Sequence, residues 1–239
     1  MCAATPLEWD ALPGLFPAFA TPRRWLPLLQ RHAALVDAAA PRVRVTSVTP
    51  GDLVRRHYAE SLELLRLCPE VLTAEVLADV GSGGGYPGMV AAVVLPATRV
   101  HLIEPLQKRA RLLEEMAAEL GLTNVTVHAL RAEESGRGPL RDACDAVTAR
   151  AVAPLRELLE YTAPLCAVGA TLALAKGSAL PGELEAAVGA MAALGCEFVQ
   201  ARPMRPEVAL HVTVAVLRKT APTGERYPRR PGMAAKRPL

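Results

Sequence analysis

The sequence predicts an α/β fold: a doubly wound, mostly parallel sheet with an antiparallel C-terminal hairpin strand, preceded by a helical N-terminal extension. Three observations carry this expectation. Short apolar runs alternate with helix-period stretches from Val76 to Leu194, which calls for crossover connections. Glycines crowd the turn after the first run, where a nucleotide-binding crossover needs them. The last two apolar runs are joined by a link too short for a helical crossover, so they must pair antiparallel.

The elements follow in order. Apolar periodicity marks helices over Arg23 to Ala39 and Asp52 to Cys68, with Thr49-Pro50 as N-cap and first-turn pair of the second. Val76 to Val80 reads as the first strand, Pro87 to Leu95 as a helix stopped by Pro96, and Arg99 to Glu104 as the second strand. A helix from Gln107 to Leu120 stops at Gly121. Strands are expected at Val125 to Leu130, Asp145 to Ala149 and Ala170 to Lys176, with helices over Pro154 to Leu165 and Pro181 to Leu194. The hairpin pairs Cys196 to Ala201 with Val208 to Leu217 across the link Arg202 to Glu207. This divides the chain into a helical extension (1–75), an α/β domain (76–217) and a basic tail (218–239).

Composition narrows the class. The chain has 239 residues, 51% of them hydrophobic and 21% charged, enough for a sizeable core. The longest apolar stretch, Met89 to Ala97, contains Pro96 and is half the length of a membrane span. With acidic Glu8 and Asp10 near the start, no secretory leader is expected; the expectation is a cytoplasmic monomer without a membrane partner. Five scattered cysteines with no C-x-x-C pair point to reduced core thiols and no metal site. The net charge of +3 is unevenly placed: from Arg218 onward seven basic residues face one acid, leaving the rest at −3. A polyanion contacted at one place fits this division.

The loop Asp79-Val80-Gly81-Ser82-Gly83-Gly84-Gly85-Tyr86-Pro87-Gly88 carries the chemistry. Gly83-x-Gly85-x-x-Gly88 matches a dinucleotide fingerprint, but Pro87 removes an amide donor where a pyrophosphate would sit and Asp79 brings a carboxylate to an anion site. Read from Asp79, the frame Asp-x-Gly-x-Gly-x-Gly suits S-adenosylmethionine, which is cationic and has no phosphate. Asp79, Gly81, Gly83 and Gly85 are thus candidate cofactor residues. Glu104, ending the second strand, is placed to accept from ribose hydroxyls. Ala132 and Glu133 follow the third strand, near an adenine, and Arg150 follows the fourth at the ligand-binding edge. Lys176 ends the fifth strand and is a candidate RNA contact; His57 and His211 read as packing histidines.

These segments, with His57-Tyr58-Ala59-Glu60-Ser61-Leu62, Ala149-Arg150-Ala151-Val152-Ala153-Pro154-Leu155, Tyr227-Pro228-Arg229-Arg230-Pro231-Gly232 and Lys236-Arg237-Pro238-Leu239, resemble the bacterial small-subunit ribosomal RNA methyltransferase G family (RsmG, also called GidB). The resemblance spans about residues 45–239 and implies a class I S-adenosylmethionine-dependent methyltransferase fold, with 7-methylguanosine in 16S rRNA as product. It places Gly81, Tyr86, Glu104, Ala132, Glu133 and Arg150 on the family's cofactor-contact positions. The chain departs from the family at Tyr86, where Phe is usual, at Arg44-Val45-Thr46 in place of Asn-Leu-Thr, and at Pro105 in place of Ser.

Guanine N7 has an in-plane lone pair and no proton to lose, so no catalytic base is named. Consistently, no Asn-Pro-Pro-Tyr motif follows the fourth strand. Cys144 and Cys166 lack a Pro-Cys context for covalent pyrimidine methylation. From the residues alone, a methyltransferase acting on another RNA, a non-catalytic RNA-binding nucleotide sensor and a dehydrogenase using the other glycine frame stay open. In the tail, Arg229 and Arg230 are expected to clamp RNA phosphates.

Overall fold

The computed structural model describes residues 7–239. Cys2, one of the five expected core thiols, lies outside them; Cys68, Cys144, Cys166 and Cys196 are free and buried. A seven-stranded sheet runs in the order β3-β2-β1-β4-β5-β7-β6. Its strands are β1 (Val76–Val80), β2 (Arg99–Ile103), β3 (Val125–His128), β4 (Cys144–Arg150), β5 (Cys166–Lys176), β6 (Cys196–Pro203) and β7 (Thr213–Lys219). The first five pair in parallel, and β7 is antiparallel to both β5 and β6. The order reverses between β1 and β4, which opens a crevice at their carboxyl ends.

Strand periodicity sends alternate residues to two apolar layers. Leu77, Val100, Leu102, Ala146, Val214 and Val216 join the layer of helices α1 (Pro22–Ala39), α2 (Glu60–Leu67), α3 (Gly88–Val94) and α4 (Gln107–Glu119). Ala78, Val80, Ile103, Val147, Leu172 and Leu217 face the opposite layer, built on α5 (Ala132–Ser135), α6 (Leu155–Thr162), α7 (Leu180–Ala186) and α8 (Val188–Leu194). Leu12, Phe16, Trp25 and Leu29 share one core with Leu77 and Met89, so residues 7–75 form part of the sheet's first covering layer. Among the described residues no helix is long and apolar enough to cross a membrane.

Several elements depart from expectation for physical reasons. The helix expected from Asp52 to Cys68 opens as a 3-10 turn over Pro50–Asp52 and a π-helical turn over Val54–Ala59 before becoming regular at Glu60. Thr49 Oγ1 bonds the Asp52 carboxylate rather than a backbone amide. The helix expected over Pro181 to Leu194 breaks at Ala187 into α7 and α8. The second hairpin strand begins at Thr213 because Pro206 starts a helical turn, Pro206–Ala209, that is tied down from outside. Arg205 bonds the fully buried Glu63 of α2, and Arg55 donates to Glu207 O at 2.6 Å. His211 therefore lies in an exposed turn, not in a strand.

The C-terminal segment is likewise folded. β7 runs past the expected boundary to Lys219, whose buried ammonium donates to Leu194 O (2.8 Å) and to Ala221 O. Tyr227 is buried, and the Arg229 side chain closes on the buried Glu160 of α6.

Candidate active site

Two adjoining cavities occupy the crevice at the carboxyl ends of β1, β2 and β4. The larger, about 590 Å³, is lined by Gly81, Gly83, Tyr86, Arg150 and Lys176 together with Arg44–Val48, His57 and Glu60. The smaller, about 160 Å³, is lined by Ala132, Glu133, Arg131, Tyr161 and Val152, and shares Gly81 with the first. Six of the nine expected cofactor residues thus meet at one edge: Gly81, Gly83, Tyr86, Ala132, Glu133 and Arg150.

The glycine loop is shaped by two carboxylates. Glu104, buried at the end of β2, accepts from Gly83 N through Oε2 and from Leu106 N through Oε1, both at 2.9 Å. Gly83 sits at φ +56°, and a Cβ there would find only Gly81 O, at 3.8 Å. Its backbone is therefore open to close approach by a ligand. Each Glu104 oxygen keeps a lone pair beyond its backbone bond, but the side chain is buried and lines neither cavity, so it adjoins the larger one only through Gly83.

Asp79 is different from expectation. Its Oδ1 accepts from Thr148 Oγ1 (2.9 Å) and its Oδ2 from Gly88 N (3.1 Å), so it fastens α3 to β1 and β4 and lines neither cavity. Burial pushes its carboxyl up to about 6. Gly85 also faces away: a Cβ there would lie 2.7 Å from Met89 Cβ and 3.1 Å from His32 Nε2. These two residues support the loop from beneath.

Beyond the loop, the cleft wall is built around a stacked pair the sequence did not foretell. The rings of His57 and Tyr86 lie 4.2 Å apart and within 9° of parallel. Arg150 Nη2 donates to His57 Nδ1 (3.0 Å), which leaves the proton on Nε2 to bond Thr46 Oγ1 (2.6 Å). Burial, then the charges of Arg150 and Arg56, lowers the His57 pKa to about 3. Arg150 also bonds Glu60 at 3.1 Å and Arg56 O, and it lies over the Tyr86 ring. The Tyr86 hydroxyl, extra relative to phenylalanine, meets Tyr58 OH at 3.2 Å, which in turn meets His32 Nδ1 at 2.9 Å. His57 is thus a packing residue, as expected, but one set in the wall of the site. The π-helical turn over Val54–Ala59 carries His57 and Arg56 to this wall, as such turns do at functional sites.

Two expected RNA contacts are corrected. Lys176 lines the cleft, yet its ammonium is held by Glu183 Oε2 (2.5 Å) and Ala153 O (2.8 Å) and is no free cation. Arg229 is spent on Glu160, to which it donates from Nε at 2.9 Å and Nη2 at 2.6 Å. Arg230, its neighbour, is exposed and lines neither cavity. Sequence reading missed Thr46, Glu60, Glu160 and Glu183; Glu60 and Glu160 meet Arg150 and Arg229 far along the chain, while Thr46 and Glu183 meet His57 and Lys176 nearer by, across loops that carry no local pattern. Among the described residues no cluster of three or more His, Cys, Asp or Glu side chains is placed to hold a metal.

Comparison with known proteins bears on the fold and the family. The solved structure of a S-adenosylmethionine-dependent methyltransferase from Aquifex aeolicus superposes with a TM-score of 0.55 at 15% identity, over 79% of this chain and 98% of that one. A 16S rRNA adenine-N1 methyltransferase from Catenulisporales acidiphilia gives 0.51 at 19% identity, over 67% and 93%. At such identities these structures bear on the fold alone. The sequence relatives reach further. The ribosomal RNA small subunit methyltransferase G of Roseiflexus castenholzii is 40% identical over 220 residues, 91% of this chain and 93% of its own. That of Desulfitobacterium hafniense is 39% identical over 202 residues, 83% and 82% of the two chains. The model of the GidB family, rRNA small subunit methyltransferase G, matches residues 26–207, and the chain belongs to that family.

Proposed function

We propose that the double cavity binds S-adenosylmethionine and that the protein transfers its methyl group to N7 of a guanine in small-subunit ribosomal RNA. When bound, the cofactor supplies an electrophilic methyl on a sulfonium. Glu104 would take the ribose hydroxyls, Ala132 and Glu133 the adenine end, and Gly81, Gly83 and Arg150 the floor between them. The observation that carries the choice of N7 is the state of the titratable groups lining the larger cavity. Both ring nitrogens of His57 are engaged, by Arg150 and Thr46. Glu60 is paired with Arg56 and Arg150, and Lys176 with Glu183. Tyr86 is raised to about 12, chiefly by burial. Among the described residues lining this cavity the Glu60 carboxylate and the His57 imidazole are both engaged, and N7 releases no proton to collect. What these residues contribute is alignment and exclusion of water.

The RNA partner fits the mouth of the same cleft. Arg44 is exposed there and Arg109 half-exposed, and Arg56, though paired with Glu60 through Nε, is also exposed, so guanidiniums rim the opening and suit phosphate contacts that position a base. A cytoplasmic monomer meeting the small subunit or its RNA is the setting this reading implies. Incubation with labelled S-adenosylmethionine and small-subunit rRNA, followed by nuclease digestion and nucleoside analysis, tests it. The label is expected in 7-methylguanosine; label on an exocyclic amine or in a pyrimidine contradicts the reading.

A further inference from the structure

Besides the ends of β1 and β2, two helices line the smaller cavity, and both are tied to the C-terminal segment. One is α5, a helix of four residues, which supplies Ala132 and Glu133. A single turn has little stability of its own and must be fixed by tertiary contacts. The other is α6, which supplies Tyr161. Both are fastened to the same stretch of the C-terminal segment. Glu133 Oε1 accepts from Gly232 N at 2.9 Å. Just beyond α5, Arg137 Nε donates to Pro228 O (2.8 Å) and Arg141 Nη1 to Tyr227 O (2.8 Å). Across the cavity, Glu160, which precedes Tyr161 and is 1% exposed, accepts from Arg229 N (2.8 Å), Nε and Nη2.

We infer that residues 227–232 are a positioning element for the cofactor's adenine end: they set Glu133 through Gly232 and Tyr161 through the Arg229–Glu160 pair. The inference rests on the reading of the cavities as the S-adenosylmethionine site. It replaces a phosphate-clamp role for Arg229 for a simple reason. A guanidinium whose Nε and Nη2 are already bonded by a buried carboxylate keeps few donors for RNA, and pulling it away would strand a buried charge.

Calorimetry with two probes, S-adenosylmethionine and 5′-methylthioadenosine, tests the assignment, because the second keeps the adenosine and lacks the methionine. Arg229→Ala, and separately a chain ended after Pro231 that keeps the Arg229–Glu160 pair but loses the Gly232 donor, should each weaken both probes by the same factor. The expected size is about tenfold, as for loss of a charge-assisted hydrogen bond. Arg229→Lys should recover part of the loss, and Lys236→Ala, which removes one exposed charge from the same segment, should cause none. If Arg229→Ala does not fold, the shortened chain decides alone. Wild-type binding of both probes by the folded variants overturns the inference, as does a variant that loses only RNA affinity and salt dependence. A wild-type chain that binds neither probe overturns the cofactor reading itself and the inference with it.

Discussion

Glu104 and Asp79 show how two carboxylates from different strands divide the work of shaping one loop. Glu104 holds Gly83 N and Leu106 N from beneath the cavity floor, so Glu104→Ala leaves two backbone donors unpaired and, on the proposed reading, removes the acceptor for the ribose hydroxyls. Gly83→Val puts a branched side chain at φ +56°, pointing into open space that a ligand would fill. Each is expected to weaken S-adenosylmethionine binding by about tenfold or more while the fold persists. Wild-type affinity in a calorimetric titration of either would refute the placement of the cofactor. Asp79 is spent beneath the loop, and its folded pKa of about 6 stands above the ordinary 3.8. Its stabilising contribution is therefore complete below the ordinary value and is lost as pH rises through about 6. The Tm of Asp79→Asn minus that of the wild type should climb between these two pH values and level off above; a flat difference would show that the Asp79 carboxyl does not titrate there.

At the scale of elements, what was legible depended on range. β1 was read to the residue, and α4 with its Gly121 stop nearly so, because periodicity and a positive-φ glycine are local signals. The glycine loop and the carboxyl ends of β2 and β4 were placed correctly because strand ends converge at a switch point. The failures were long-range. Nothing near Val208 announces that Arg205 will bond Glu63, 142 residues away, and hold the link as a helical turn. The π-helical turn over Val54–Ala59 has an ordinary helical pattern in sequence. The extra hydroxyl of Tyr86 called for a partner, but only the packing of α1 against the loop reveals the chain Tyr86, Tyr58, His32. The tail was misread for the same reason: charge counting registers Arg229 and Lys219 as free cations, while the fold buries the partners of both.

For the molecule as a whole, the site is a meeting of three parts: the sheet edge, the N-terminal layer that brings His57 and Arg44 to Val48, and the C-terminal segment that braces the adenine end. Arg44, Arg56 and Arg109 line the larger cavity and exposed Arg131 the smaller, so on the proposed reading positive charge gathers at the opening through which a base would enter. The charged groups within are paired with one another, which is the ground for assigning a reaction without a proton acceptor. The most direct test of that central claim is the single-turnover rate of methyl transfer from S-adenosylmethionine to small-subunit rRNA, measured from about pH 6 to about pH 9. With His57 lowered to about 3 and Tyr86 raised to about 12, the account predicts a rate that is flat across this range; a tenfold rise per pH unit, marking one essential deprotonation, would contradict it.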